Sequence, residues 1–210
     1  MYLPQHFAES RPELLHELIR SYPFGTLVVL AEGELIANHI PMLLDPGAGP
    51  HGTLRGHVSR SNSVWSHLEG TEALAIFQGP HAYITPNWYP SRQSDGKVVP
   101  TWNYAVVHAY GHARAIQEPA WLLENVTRLT VAQEAGQMHP WQVADAPRDY
   151  IEQMLKGIVG VELPISRVQG KWKVSQNRTQ ADRRGVVAGL QSRSEEQALA
   201  MAALVAERAR

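Results

Sequence analysis

No cysteine occurs among the 210 residues. That removes disulfides, thiolate nucleophiles and Cys-ligated zinc from consideration. No uninterrupted apolar run approaches the roughly 18 residues that suggest a membrane span, and residues 1 to 20 hold no apolar stretch of signal-peptide length. The expectation is a soluble, cytoplasmic protein with no membrane partner. P-loop, Gly-x-Ser-x-Gly and helix-turn-helix patterns are all missing. An excess of charge is missing too: the formal net charge is −1, which disfavours a general nucleic-acid binder.

The charge is nevertheless uneven. Arg167, Lys171, Lys173, Arg178, Arg183, Arg184 and Arg193 face a single acid, Asp182, over one stretch, a local +6 that leaves −7 for the remainder. Such a cluster reads either as a site for phosphate or an acidic partner, or as a solvated basic face.

The chain is organised around two strand-like runs, Ala73 to Thr85 and Val98 to Gly111, joined by a polar loop with Pro86, Pro90, Gly96 and Pro100. Trp88, Tyr89 and Trp102 sit in or beside that loop, next to Asn87 and Asn103. Aromatic surface with amide donors suits a flat, polar-edged ligand or another chain. The alternative is that these rings only cover the end of a barrel.

Ser10 and Glu13 predict a capping box ahead of an apolar helix stripe, Leu14, Leu15, Leu18 and Ile19. Strands are expected at Gly25 to Leu30, Leu35 to Leu44 and Thr53 to Val58, with Pro41 leaving the second of these an open side or a bulge. Ser59-Arg60-Ser61-Asn62 precede a short helix, Ser63 to Leu68. They read as plain caps or as a phosphate cradle. Helices follow at Pro119 to Ala135 and Pro147 to Lys156. Two strands, Ile158 to Val168 and Lys171 to Val174, flank a tight turn expected at Gln169-Gly170. A basic helix near Thr179 to Leu190 and a second capping box, Ser192 to Glu195, open the tail, where Ala198, Met201, Ala202, Val205 and Ala209 share one face. Strands joined mostly as hairpins favour an antiparallel barrel with peripheral helices. Its expected extent is residues 1 to 190, with 191 to 210 a helix packed on the domain or on a partner subunit. His108 and His112 lie four apart with no carboxylate at ligand spacing, so no metal site is expected. His81 reads as structural.

Four blocks, Met1 to Phe7 (MYLPQHF), Phe77 to Tyr83 (FQGPHAY), Val99 to Tyr104 (VPTWNY) with His108 to Gly111 (HAYG), and Gly170 to Arg178 (GKWKVSQNR), resemble the PaiB family of FMN-binding negative transcriptional regulators. The resemblance covers nearly the whole chain; Val174 and Thr85 stand where the family pattern suggests Leu and Ser. It implies a mainly β, antiparallel FMN-binding split barrel of the flavin-reductase and pyridoxamine-oxidase kind, forming a homodimer with FMN at the subunit interface. It further implies His57, Ser59, Arg60, Ser61 and Asn62 as phosphate and ribityl contacts. His39, Ile40, Pro41 and Met42 would lie beside the isoalloxazine, offering backbone hydrogen bonds, with Trp102, Asn103 and Tyr104 over the ring. Lys173, Gln176 and Arg178 would face the edge that becomes negative on reduction, or else form a dimer salt-bridge network. A regulator, an FMN-dependent oxidoreductase and a non-catalytic metabolite-sensing dimer are the functions compatible with this reading. DNA contact is supported by neither net charge nor motif.

Overall fold

Period-two burial recurs along the chain, and strands result. In a computed structural model, residues 1–94 and 96–208 are described. In chain order they form β1 (Ala8–Glu9), α1 (Pro12–Ser21), β2 (Phe24–Ala31), β3 (Glu34–Pro41), β4 (Leu43–Asp45) and β5 (Thr53–Ser59). Then come β6 (Glu72–Ile84), β7 (Thr101–His112), β8 (Arg114–Ile116), α2 (Pro119–Glu134), α3 (Arg148–Lys156), β9 (Ile158–Pro164), β10 (Arg167–Lys173), α4 (Gln180–Gln191) and α5 (Glu196–Glu207). The sheets are ordered β1-β10-β7-β6-β2-β3 and β4-β5-β9-β8, with antiparallel pairing. The mainly antiparallel β class expected from sequence is what is found. Two compact units share the chain: Met1–Leu18, Gln78–Val107 and Gln169–Arg210 form the first, and Ile19–Phe77 with His108–Val168 form the second.

In the second unit β2 and β3 close on Glu32 and Gly33, whose φ values of +52° and +87° are those of a two-residue primed turn. The strand expected to run from Leu35 to Leu44 is in fact two. β3 ends at Pro41, which has no N–H to continue a ladder; Met42 turns inward, its N–H donating to Pro23 O at 2.9 Å, and β4 joins the other sheet. Gly56 lets β5 cross closely beneath this corner, since a Cβ there would stand 2.9 Å from Pro41 O. Helices α2 and α3 pack on β9, and Trp121 of α2 lies flat on Gly160, where a Cβ would meet its ring at 2.3 Å.

In the first unit the expected turn at Gln169-Gly170 is not a turn. Both residues lie inside β10, Gly170 opposite Glu9 of β1. A Cβ on Gly170 would come within 2.2 Å of Leu15 Cδ2, so this glycine serves close approach of helix α1. Both expected capping boxes are displaced. Helix α1 starts at Pro12 with Arg11 O accepting its first bonds, while the Glu9 carboxylate takes Arg11 N at 3.0 Å. Ser192 ends α4 rather than starting α5, its hydroxyl donating to Gly189 O at 2.7 Å; α5 has no side-chain cap. Ala198, Met201, Ala202 and Val205 are buried and α5 packs on α4; Ala209 lies outside the described residues.

Candidate functional site

The aromatic loop after β6 has divided duties. Trp88 is seated on helix α4, where Cβ atoms at Gly185 and Gly189 would meet its carbonyl at 2.0 Å and its indole at 2.3 Å. Arg193 covers the other side of the ring at 4.8 Å. Tyr89 is 2 % exposed, with Arg178 stacked at 4.7 Å. These two rings are structural. Trp102, at the start of β7, differs: it is 54 % exposed, with Tyr83 at 6.1 Å and His81 at 6.2 Å between ring centroids. Positions 81 and 83 alternate onto one face of β6, which makes an exposed aromatic face of three rings.

Lys173 reaches the same strand. Its ammonium donates to Trp102 O at 2.6 Å and to Thr101 Oγ1. Burial, then the charges of Lys171 and Arg178, hold its pKa below the usual lysine value. Lys171 is buried, donates to Tyr2 O at 3.0 Å and lies 5.3 Å above the Tyr104 ring. Asn103 is buried and donates to Ser175 Oγ at 2.9 Å, pinning a serine held at φ +65°. Gln176 accepts from Val174 N at 2.7 Å and donates to Trp172 O. Among the six candidates of this unit, Trp102 and Lys173 are therefore placed side by side with ring and cation available. Asn103, Gln176 and Arg178 brace the turn after β10, and Tyr104 supports Lys171.

The other candidates belong to the second unit. His39 is exposed at the free edge of the sheet, its ring 6.3 Å from Phe24. Ile40 and Met42 are buried, so only their backbone, with that of Pro41, can serve a ligand. Ser59 and Ser61 share a 2.8 Å hydroxyl–hydroxyl bond at the surface. Arg60 does not stand free: it donates to Lys156 O at 2.8 Å, Ile158 O at 3.2 Å and Gln117 Oε1 at 2.8 Å, which leaves two of its five N–H groups. Asn62 caps Val64 N at 3.0 Å and donates to Asn38 Oδ1 at 2.6 Å. His57 turns instead toward α2 and α3, beside Val126 and Leu155.

Sequence reasoning did not single out Asn38 or Tyr83 and read His81 as structural. Asn38 Nδ2 is buried without a partner; the available signal was an amide within the otherwise apolar LIANHIPMLL. His81 and Tyr83 were betrayed only by alternation. In the first unit, an exposed ring face beside a partly buried lysine is chemistry that suits an isoalloxazine plane and its anionic edge. In the second unit, the unpartnered Asn38 Nδ2 and the Ser59 and Ser61 hydroxyls are chemistry that suits a polyol and a phosphate.

Burial lowers the pKa of His57 and of His108 below the ordinary 6.5. The folded chain therefore binds fewer protons than the unfolded chain just below that value. Stability is full above about pH 6.5 and falls as pH drops through the folded pKa values. The urea midpoint is expected to be lower at pH 5 than at pH 7.5, and the doubly substituted His57→Gln/His108→Gln chain should lose most of that difference. An unchanged pH slope in the double variant would contradict this assignment.

The family whose description is "Putative FMN-binding domain" matches residues 1–167. An uncharacterised protein of Emericella nidulans is 35 % identical, the match covering 99 % of this chain and 97 % of that protein. Protease synthase and sporulation protein PAI 2 of Bacillus subtilis is 34 % identical, over 99 % and 98 % of the two chains. Among solved structures, the flavocytochrome Anf3 of Azotobacter vinelandii superposes with a TM-score of 0.60 at 12 % identity, covering 81 % of this chain and 72 % of that one. That likeness is one of fold.

Proposed function

The chain belongs to the PaiB-type family of FMN-binding domains, and from that premise we propose that it is an FMN-binding regulator whose flavin lies at a homodimer interface. The observation that carries the reading is Trp102, exposed in a protein whose other loop aromatics are packed away, with the Lys173 ammonium bound to its carbonyl. In this arrangement Trp102 and Tyr83 offer stacking surface. Lys173 holds positive charge where the flavin's pyrimidine edge needs a partner. The exposed Phe24 and Leu35, 67 % and 76 % accessible, are apolar surface of the kind a second subunit covers.

The regulator reading draws no support from a basic DNA-binding face. Arg167, Lys171, Arg178 and Arg193 each lie over an aromatic ring, and Arg183 donates to Arg208 O. Arg184, exposed on α4, is the member of the stretch best placed to meet a polyanion. The second reading, an FMN-dependent oxidoreductase acting on a small substrate, draws support from Lys173. A bound flavin supplies electron transfer, and a nearby cation favours the anionic reduced form.

Titration with FMN, read by flavin fluorescence, tests the proposal. Saturable quenching is expected, and Lys173→Met and Trp102→Ala should each weaken it about tenfold, as loss of a charged hydrogen bond or a stacking surface does. Absence of saturable quenching would reject both readings. Oxidation of NADH or NADPH by the loaded protein would favour the second.

A further inference from the structure

Helices α2 and α3 touch each other and both pack on β9. Between them, over the outer face of β5, lies a chamber of about 230 Å³. It adjoins a trough of about 540 Å³ through the shared side chains Val143, Ile151 and Leu155. The walls are apolar, yet one of them is an imidazole. His57 lines the chamber, its Nδ1 is sealed from solvent without a partner, and among the described residues no group bonds its ring. Trp141 and Met154 line the chamber too, 46 % and 45 % exposed. An indole face and a thioether are partners that aromatic rings favour.

We propose that this chamber is a second binding site, separate from the flavin residues, for a small uncharged aromatic molecule bearing one hydroxyl or carbonyl group. The ring of the ligand lies against Trp141 and Met154, and its polar group meets His57. With Nδ1 sealed, Nε2 is the nitrogen left for that contact. Charge on the ligand is disfavoured because the surroundings are apolar and burial keeps His57 itself neutral near pH 7. The chamber lies below the usual range of ligand pockets, which limits the ligand to a small one, with the trough accommodating a substituent. Occupancy bears on β5, which leads directly into Ser59 and Arg60, and on α3, whose terminal carbonyl Arg60 holds.

The probes are 1-naphthol and naphthalene, titrated into the full-length protein and followed by amide shifts in proton–nitrogen NMR spectra. Saturable shifts clustered at Thr130, Val143, Leu155 and Ile158 are expected. 1-Naphthol should bind about tenfold more tightly than naphthalene, an advantage His57→Phe should abolish. Thr130→Trp, which fills the chamber, and Met154→Trp, which fills it from an exposed position, should each weaken binding more than about tenfold. Shifts scattered over the surface, no saturation, or equal affinity for the two probes would overturn the proposal. So would displacement of 1-naphthol by FMN, since the chamber would then belong to the flavin. Unchanged probe binding at saturating FMN supports a separate site, and this result stands whether or not the flavin itself binds.

Discussion

Gly189→Leu is expected to destabilise the protein by about 3 kcal/mol, a cost typical of severe overpacking. The Trp88 indole occupies the space a side chain would need, with ring atoms 2.3 to 2.5 Å from an added Cβ. Gly185, one turn earlier, allows the Trp88 carbonyl to touch the helix, so the loop cannot slide along α4 to make room. In thermal unfolding the loss should appear as a fall of about 6–12 °C for a chain of this size. The partner substitution identifies the cause. Trp88→Ala removes the wedge at a cost of its own, and Trp88→Ala/Gly189→Leu should be more stable than the two single losses added together, because the leucine then fills the vacated notch. Additive losses would mean that the glycine is needed for something other than the indole.

Asp182→Ala is the second large effect, about 2–4 kcal/mol at neutral pH, in the range for breaking a buried, charged hydrogen-bond network. The carboxylate is 2 % exposed. It accepts from Ser91 N at 3.1 Å and Ser91 Oγ at 3.0 Å, while its own N–H donates to Thr179 Oγ1 at 3.2 Å. Thr179 thus caps the start of α4, and the Asp182 carboxylate ties the aromatic loop to that helix. Burial alone would raise its pKa, but the bonds from Ser91 and Thr179, with the charge of Arg178, outweigh it and hold the value below the ordinary 3.8. The folded state therefore binds its proton less readily than the unfolded state. The contribution is complete above about pH 4 and is lost as pH falls through the folded value. Urea unfolding at pH 7 should separate Asp182→Ala widely from the parent, and the gap should narrow in strong acid. A gap that persists undiminished in acid would show that packing, rather than the ionised carboxylate, is at work.

The strand content was legible because alternation is local: β2, β5, β6 and β7 announce themselves within eight or so residues. Contacts made over long sequence separations were not. Gly170 reads as a turn residue until Leu15 is known to press on it, and no window of sequence contains both. Pro41 was readable as a break in pairing, though not as the point where the chain changes sheets. The basic stretch illustrates the same limit. A sum of charges cannot reveal that Arg167, Lys171, Arg178 and Arg193 lie against Tyr110, Tyr2, Tyr89 and Trp88. For the candidate site, Trp102 and Lys173 were visible through family-like blocks. Asn38 was not, because what singles it out is an empty hydrogen-bond position, a property of the folded surroundings rather than of the residue.

The two compact units exchange the chain four times, at residues 18/19, 77/78, 107/108 and 168/169. Neither unit is encoded by one uninterrupted stretch. Recombination that moves one such segment therefore carries away only part of a unit, and a truncation strands the remainder without its partner segments. Such an architecture is inherited whole. Its diversification is expected through substitutions and loop insertions, such as the α2–α3 segment between β8 and β9, rather than through the shuffling of modules.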